Sequence, residues 1–198
     1  MADRLTPGTR AELAALAARY GAPVRVRRRI GARFIDPIGR TDRFGEVCMV
    51  VRRRSGTILL LTKEIYPPGT FRLPTGGISH GEAVLEALRR EAHEETGLSV
   101  EVRRFLAWID YLPPDGDGAL FHTFAFLLDE TGGTLGALDP EELVLGYREV
   151  APSDLRVVGE RLAAIPSRLS DEIGGDWADW GEFRSLVHFG VAEALERP

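Results

Sequence analysis

Three glutamates near the end of one predicted helix are the residues in this sequence best placed to do chemistry. At helical spacing, Glu91 and Glu95 continue the face that begins with the apolar residues Val84 and Leu88, and Glu94 lies beside it. Two carboxylates about 4 Å apart repel each other by about 4 kcal/mol at an effective dielectric constant near 20. Either one carboxylate keeps its proton, or a cation lies between them. An all-oxygen cluster suits a hard ion such as Mg²⁺ or Mn²⁺.

The same residues allow a plainer interpretation, in which the helix is solvated and carries Glu–Arg pairs on its surface. Glu86 and Arg90 have the best i, i+4 spacing for such a pair. The acidic residues nevertheless continue the apolar face of the helix. This continuation favours carboxylates that point inward.

Signals at both ends predict a helix from about residue 80 to about residue 96. Ser79 and Glu82 have the S-x-x-E spacing of a capping box, in which the serine accepts from an early helical N–H and the glutamate reaches back to the cap. Gly97 suits the left-handed conformation that closes a helix. The helix therefore carries its glutamates in its last turns.

The stretch from Gly76 to Leu98 resembles the Nudix box, G-x5-E-x7-R-E-U-x-E-E-x-G-U, where U is a bulky aliphatic residue. Every fixed position matches, although Ala92 is smaller than the usual residue at the first U. The preceding LPTGG is similar to the glycine-rich segment common in that family, with Thr75 where many members carry glycine or alanine. The resemblance implies an α/β Nudix fold, an α/β/α sandwich around a mixed β-sheet, here with extra N-terminal and C-terminal helices.

The resemblance also implies a metal-dependent hydrolase. Family members cleave the pyrophosphate bond of a nucleoside diphosphate linked to another group, using Mg²⁺ or Mn²⁺ to neutralise charge and lower the pKa of bound water. Arg90 would orient the carboxylates, and Glu82 would support the loop before the helix. By resemblance, the metal ligands are Glu91, Glu94, Glu95 and the backbone carbonyl of Thr75.

The group that deprotonates the attacking water is not fixed across the family. It is either a glutamate of the box or an acid from a later loop. Glu141 and Glu142, in the segment DPEEL, are placed for the second role, or they simply lie in a solvated loop. The candidate catalytic residues are Glu94, Arg90 and Glu142.

Candidate substrate-binding residues lie at the start of the box or near it in the sequence. Arg72 would contact phosphates, Gly76 and Gly77 belong to the glycine-rich segment, and the rings of Phe71 and Tyr111 offer faces for base stacking. Members that resemble ADP-ribose hydrolases often carry a proline about 15 residues beyond the box, and one occurs at that distance here. These residues are Arg72, Gly76, Gly77, Phe71, Tyr111 and Pro113.

The resemblance therefore predicts hydrolysis of ADP-ribose or a nucleotide sugar. Two alternatives stay open. The first is a pyrophosphohydrolase that removes nucleoside triphosphates, and the second is a non-catalytic nucleotide-sensing module on the same fold.

Composition fits one domain. With 198 residues, 44% hydrophobic and 28% charged, the chain predicts a single Nudix domain over 1–198. Its core spans about 44–165, between an N-terminal extension, 1–43, and a C-terminal helical extension, 166–198.

The net charge of −5 argues against a nucleic-acid partner and leaves a small-molecule nucleotide as the expected one. No apolar run is long enough to span a membrane, and the N-terminus has no secretory pattern, so we expect no membrane partner and a cytoplasmic location.

Periodicity and turn residues predict the remaining elements. Helices are expected over 6–20, 153–164 and 177–196. Strands are expected over 24–30, 45–53, 57–62, 99–112, 119–128 and 143–150. The terminal extensions and a flat Trp177–Trp180 region would offer the contact surface for a homodimer.

Overall fold

A seven-stranded mixed sheet forms the centre of the computed structural model, which describes residues 5–31 and 36–197. The predicted N-terminal extension thus includes residues 1–4 and 32–35, which lie outside the described part. The helices are α1 (Pro7–Tyr20), α2 (Val84–Thr96), α3 (Leu155–Ala163) and α4 (Trp177–Glu196). The strands of the sheet are β1 (Val24–Arg29), β2 (Arg43–Arg52), β3 (Ile58–Lys63), β4 (Thr75–Ser79), β5 (Leu98–Leu112), β6 (Phe121–Gly133) and β7 (Val144–Val150).

The strand order is β1-β5-β6-β2-β3-β7, and β4 pairs with β2 outside this path. β1 runs parallel to β5 and β2 parallel to β6, whereas the other neighbours are antiparallel. β8 (Leu169–Ser170) and β9 (Gly175–Asp176) form a separate two-stranded sheet. The predicted mixed sheet is confirmed.

Each face of the sheet carries its own hydrophobic cluster. Alternate residues of β2 point to opposite faces, so Val47 and Met49 join the cluster under α1 and α2, while Cys48 and Val50 join the one under α3 and α4. Leu88 of α2 is buried in the first cluster. The predicted α/β/α sandwich with additional terminal helices is therefore confirmed.

Three of the four arginines of β1, Arg25, Arg27 and Arg29, bind other residues of the chain. Arg25 lies 3.4 Å over the ring of Trp108 and donates to Asp110 at 3.1 Å. Arg29 donates to the backbone carbonyls of Pro113, Pro114 and Gly116. These bonds hold the polar turn between β5 and β6.

α4 is a core element. Trp177 and Trp180 are 1% and 2% exposed, so the prediction that this region is a contact surface is wrong. The Trp177 and Trp180 rings meet edge to face with centroids 5.1 Å apart. His188 of the same helix accepts from the backbone N–H of Leu73 at 3.1 Å, and burial lowers the pKa of its imidazole to about 3. This neutral imidazole ties α4 to the segment that precedes the box.

No described helix has the length and apolar character needed to cross a bilayer.

The N-terminus of α2 departs from the sequence prediction. The helix begins at Val84 rather than near residue 80, and the side chain of its N-cap residue makes no capping bond. Ser79 instead ends β4, although its backbone N–H donates to Glu82 at 3.0 Å. The carboxylate of Glu12, from α1, accepts from the N–H groups of Val84 at 3.0 Å and Leu85 at 3.1 Å. The serine half of the predicted capping box is therefore wrong, because a distant helix supplies the cap.

Candidate active site

A polar cleft of about 550 Å³ opens where β4, α2, α4 and the turn before β7 meet. The segment before the box reaches it directly after the isolated bridge between Leu61 and Arg72. The cleft brings together most of the predicted site residues. These are Arg72, Thr75, Gly76, Gly77, Arg90, Glu91, Glu94 and Glu142.

Arg90 holds the first two glutamates of the cluster. Its Nη1 donates to Glu91 at 2.8 Å and to Glu94 at 3.0 Å, while its Nε donates to Glu82 at 2.9 Å. Its Nη2 also donates to the backbone carbonyl of Gly77 at 3.1 Å. The hydrogen bond to Glu82 is the main reason why the pKa of Arg90 is raised. One guanidinium thus joins the loop before α2 to the helix face that bears the carboxylates.

The two glycines leave the space that these side chains occupy. A Cβ on Gly76 would lie 1.9 Å from Cδ of Glu91, and a Cβ on Gly77 would lie 2.2 Å from Nη1 of Arg43. Neither approach is possible for real atoms. Gly76 is therefore required for the position of Glu91, which is 6% exposed. Burial raises the pKa of Glu91 despite the neighbouring charge of Arg90.

Glu95 is the most buried acid of the cluster, with no exposed surface. Nζ of Lys63 lies 2.8 Å from its Oε1 as an ion pair. Neither carboxylate oxygen has a hydrogen bond of good geometry from a described residue. Burial raises the pKa of Glu95 to about 7, against the opposing charges of Lys63 and Arg72.

Lys63 also donates to Glu142, which lies in the 3-10 turn Pro140–Glu142. Burial alone would raise the pKa of Glu142, but the hydrogen bond and the charge of Lys63 outweigh it and hold that pKa below its ordinary value. Tyr147 completes this corner, because its hydroxyl donates to the backbone carbonyl of Glu95 at 2.6 Å.

The donor set can be tested for its fit to a divalent cation. Within the described ranges, no three His, Cys, Asp or Glu side chains lie close enough together to hold a metal ion. Arg90 joins Glu91 and Glu94, and Lys63 joins Glu95 to Glu142. The chemistry of the donors nevertheless fits, since all are carboxylate oxygens, and those of Glu95 are buried without a well-formed hydrogen bond from the described residues. A buried acceptor left in this way is costly, and a cation would relieve the cost.

Three predicted substrate-binding residues lie elsewhere. Phe71 lines a separate cavity of about 380 Å³, where the guanidinium of Arg148 lies 4.0 Å over its ring. Tyr111 is fully buried, and its hydroxyl accepts from Thr123 at 3.1 Å. Pro113 lies in the turn held by Arg29. The structure thus leaves all three outside the lining of the polar cleft.

Sequence reasoning missed several residues that line the cleft, and three of them, Lys63, Glu46 and Arg184, contact other residues of the site. A charged residue inside an apolar strand needs a partner when it is buried, and Glu46 in GEVCMVV carries that signal. Arg184 gives no comparable signal, because its partners lie far away in the sequence. Lys63 ends β3 and faces the cleft only because β3 lies beside β7.

Comparison with known families decides the assignment. The family model of the NUDIX domain matches residues 42–170. This chain belongs to the Nudix family. The resemblance inferred from the box is thereby confirmed.

Curated relatives match this Nudix chain over its central part. An ADP-ribose pyrophosphatase of Methanocaldococcus jannaschii is 40% identical over 89 residues, which is 43% of this chain and 51% of that protein. An 8-oxo-dGDP phosphatase of Mus musculus is 37% identical over 93 residues, 44% of this chain and 27% of that protein. An RNA pyrophosphohydrolase of Cereibacter sphaeroides is 38% identical over 74 residues, 35% of this chain and 46% of that protein. The match thus spans about half or less of the length of these relatives.

Solved structures are similar at a lower level. An ADP-ribose pyrophosphatase of Streptococcus suis has a TM-score of 0.46 and 17% identity, covering 77% of this chain and 91% of that one. A Nudix hydrolase of Nitrosomonas europaea has a TM-score of 0.44 and 20% identity, covering 57% and 59%.

Proposed function

We propose that this Nudix chain hydrolyses the pyrophosphate bond of a nucleoside diphosphate linked to another group, such as ADP-ribose or a nucleotide sugar, with Mg²⁺ or Mn²⁺. One observation carries the proposal. Glu91 and Glu94 of the box helix border the same cleft as Arg72, a buried guanidinium with no ion-pair partner among the described residues. Carboxylates attract a hard cation, and a guanidinium attracts phosphate. A metal-bound pyrophosphate supplies both charges.

In this proposal Glu91, Glu94, Glu95 and the backbone carbonyl of Thr75 hold the divalent cation. When bound, that cation neutralises charge on phosphoryl oxygens and lowers the pKa of water. Arg90 orients Glu91 and Glu94 through the bonds described above.

Two acids remain candidates for the general base. Glu142 has a lowered pKa and is therefore ionised at neutral pH, as a proton acceptor must be. Glu94 is the more accessible acid of the box, with 34% of its side chain exposed. Glu82 supports the loop by accepting from the N–H of Ser79.

Substrate choice is the finer part of the proposal. The relatives include an ADP-ribose pyrophosphatase, which supports a diphosphate linked to a sugar. A nucleoside triphosphate pyrophosphohydrolase is the competing activity. The two differ by product, since the first releases AMP and a sugar phosphate, whereas the second releases a nucleoside monophosphate and pyrophosphate.

A substrate panel tests the function. ADP-ribose, a nucleotide sugar and nucleoside triphosphates are each incubated with the protein and Mg²⁺ or Mn²⁺, and products are separated by chromatography. Glu94→Gln and Glu95→Gln should each lower kcat by about two to three orders of magnitude, as loss of a charge-stabilising group does elsewhere. Glu86→Gln, at an exposed position of the same helix, is the matched control and should retain activity. Equal inactivity of all four proteins on every substrate would support the sensing module instead.

The homodimer and the cytoplasmic location stay predictions. The buried tryptophans of α4 remove one of the two surfaces expected for a dimer, so the terminal extensions alone would supply the contact. A light-scattering mass equal to one chain at micromolar concentration would contradict the dimer.

A further inference from the structure

Two arginines from distant parts of the chain converge on one hydroxyl at the cleft. Nη1 of Arg72 lies 2.9 Å from Oγ1 of Thr75, and Nη1 of Arg184 lies 3.1 Å from the same atom. Arg72 precedes β4, whereas Arg184 projects from α4. A hydroxyl oxygen is a neutral acceptor and cannot balance two cations.

Arg72 has no ion-pair partner among the described residues, although its charge opposes the effect of burial on the pKa of the nearby Glu95 and Glu142. The residue is 3% exposed, and its guanidinium donates to the hydroxyl of Tyr66, the carbonyl of Leu73 and Thr75. None of these acceptors is charged, and none of the described carboxylates lies within ion-pair distance of it. Buried charges are normally paired, because removing an ion from water is costly. Arg72 therefore leaves room for an anion from outside the protein.

Arg184 is held, but not fully satisfied. Its Nη1 donates to both carboxylate oxygens of Glu46 at 2.8 Å. Its Nε is buried and has no hydrogen-bond partner among the described residues. Arg72, Arg184 and Glu46 together carry one more cation than anions. The two guanidinium groups thus carry more positive charge than Glu46 alone neutralises. Burial is the main reason why the pKa of His188 is lowered, and the charges of Arg72 and Arg184 lower it further.

We propose that Arg184 binds a phosphoryl group of the substrate together with Arg72, and that Glu46 is a positioning residue that holds the Arg184 guanidinium toward the cleft. This inference rests on the proposed function and deepens it, since it names the contacts for the diphosphate. Guanidinium forks match the geometry of phosphate oxygens and bind them with charge-assisted hydrogen bonds. Arg184 lies beyond residues 42–170, so this contact comes from the C-terminal extension of this chain.

Binding of inorganic pyrophosphate without metal gives the direct test. The full chain is titrated with pyrophosphate in the presence of a chelator, and the heat of binding is measured by calorimetry. The Glu46→Gln/Arg184→Gln double variant removes both charges, so neither buried charge is left alone. We expect it to bind pyrophosphate about tenfold to a hundredfold more weakly than wild type, the loss typical of a hydrogen-bonded charge.

Arg104→Gln is the matched control. Arg104 also donates to α4, at the backbone carbonyl of Ala194 3.2 Å away, but it lies outside the lining of the cleft. Its loss removes an arginine contact to the same helix and should leave the affinity for pyrophosphate unchanged. Wild-type affinity in the double variant, or equal weakening by Arg104→Gln, would overturn the proposal.

Arg184→Lys decides the question if the double variant does not fold. Lysine keeps the charge near Glu46 but loses the planar fork, so we expect about tenfold weaker binding of pyrophosphate. An affinity equal to that of wild type would again overturn the proposal. For Glu46, the Glu46→Gln variant should raise KM more than it lowers kcat, which a purely structural role would not do.

Failure of the two proposals can be told apart. If the protein hydrolyses no substrate but binds pyrophosphate in an Arg184-dependent way, the contact stands and the proposed function fails. If the box glutamates are required for hydrolysis but substitution of Arg184 changes neither KM nor the affinity for pyrophosphate, the proposed function stands and this inference fails.

Discussion

Glu46 lines the polar cleft, and Glu95 lies next to Lys63, which also lines it. The surroundings of these two buried glutamates differ. Glu46 accepts from the hydroxyl of Thr123 at 2.8 Å and from Arg184 through both oxygens. Within the described part of the chain, Glu95 has an ion pair with Lys63, and its oxygens lack a well-formed hydrogen bond. The two residues are 3% and 0% exposed, so burial does not distinguish them.

The difference shows how one residue type serves two purposes. A carboxylate with all its donors in place holds elements together, as Glu46 holds β2 to α4. A buried carboxylate short of donors lowers stability, and folded proteins keep few such groups without a reason. The surroundings of Glu95 therefore favour binding of a ligand, whereas the hydrogen bonds of Glu46 already serve to hold the fold together.

The largest expected effect comes from breaking the satisfied site. Glu46→Ala leaves the guanidinium of Arg184 buried without its anion, so the free energy of unfolding should fall by about 3–5 kcal/mol. Chemical denaturation monitored by tryptophan fluorescence measures this change. The Glu46→Gln/Arg184→Gln double variant is the control and should recover most of the loss. A fall below about 1 kcal/mol would show that Glu46 is not the satisfied member of the comparison.

Substitution of Glu95 should instead raise the free energy of unfolding. Its pKa is raised from the ordinary 4.5 to about 7, so its contribution to stability is complete below about pH 4.5 and is lost as pH rises through about 7. Glu95→Gln has no carboxyl group to ionise, so the variant avoids this loss of stability at higher pH. In metal-free protein, the variant should gain stability over wild type between pH 5 and pH 8, by about 3 kcal/mol at most.

Denaturant titrations at several pH values check this prediction, with chelator present throughout. Only the difference between the two proteins matters, because other groups also make stability depend on pH. The pKa of His188, for example, is about 3 in the folded protein against an ordinary value of 6.5. Glu86→Gln, at an exposed position of α2, controls for the loss of one helix charge. Parallel pH profiles for wild type and Glu95→Gln would contradict the account of Glu95.

Local patterns were enough to predict much of the fold and eight of the residues that line the cleft. Gly97 ends α2 with φ 66°, as the left-handed conformation expected of it requires. The box glutamates and Arg90 meet because their spacing on one helix fixes their relative positions. Periodicity of two and turn residues placed six of the seven strands of the sheet, since each face of it must bury apolar side chains, but β4 was not predicted.

Long-range partners could not be predicted in this way. Arg184 and Glu46 are 138 positions apart, and no local pattern links them. Tyr111 was expected to stack on a base, but an aromatic residue in a strand looks the same whether it lines a site or fills the core. The start of α2 was misplaced for the same reason, because its cap comes from Glu12, 72 positions before Val84.

That cap gives the smallest expected effect and extends the comparison to a third glutamate. Glu12 is half-buried and satisfied by two backbone N–H groups at the N-terminus of α2, where the helix dipole also favours a negative charge. Glu12→Ala should lower the free energy of unfolding by about 1 kcal/mol, the usual cost of a lost cap. It should also speed amide hydrogen exchange at Val84 and Leu85.

The matched control weakens α1 without touching α2. Thr6 caps α1 by accepting from the N–H of Thr9 at 3.1 Å, so Thr6→Ala should cost a similar amount of stability and leave exchange at Val84 unchanged. If both variants speed exchange at Val84 equally, α1 acts on α2 through packing alone. In that case Glu12 does not belong with Glu46 among the satisfied carboxylates that hold elements together. If only Glu12→Ala does so, the N-terminal extension helps to hold the helix that carries the acids of the cleft.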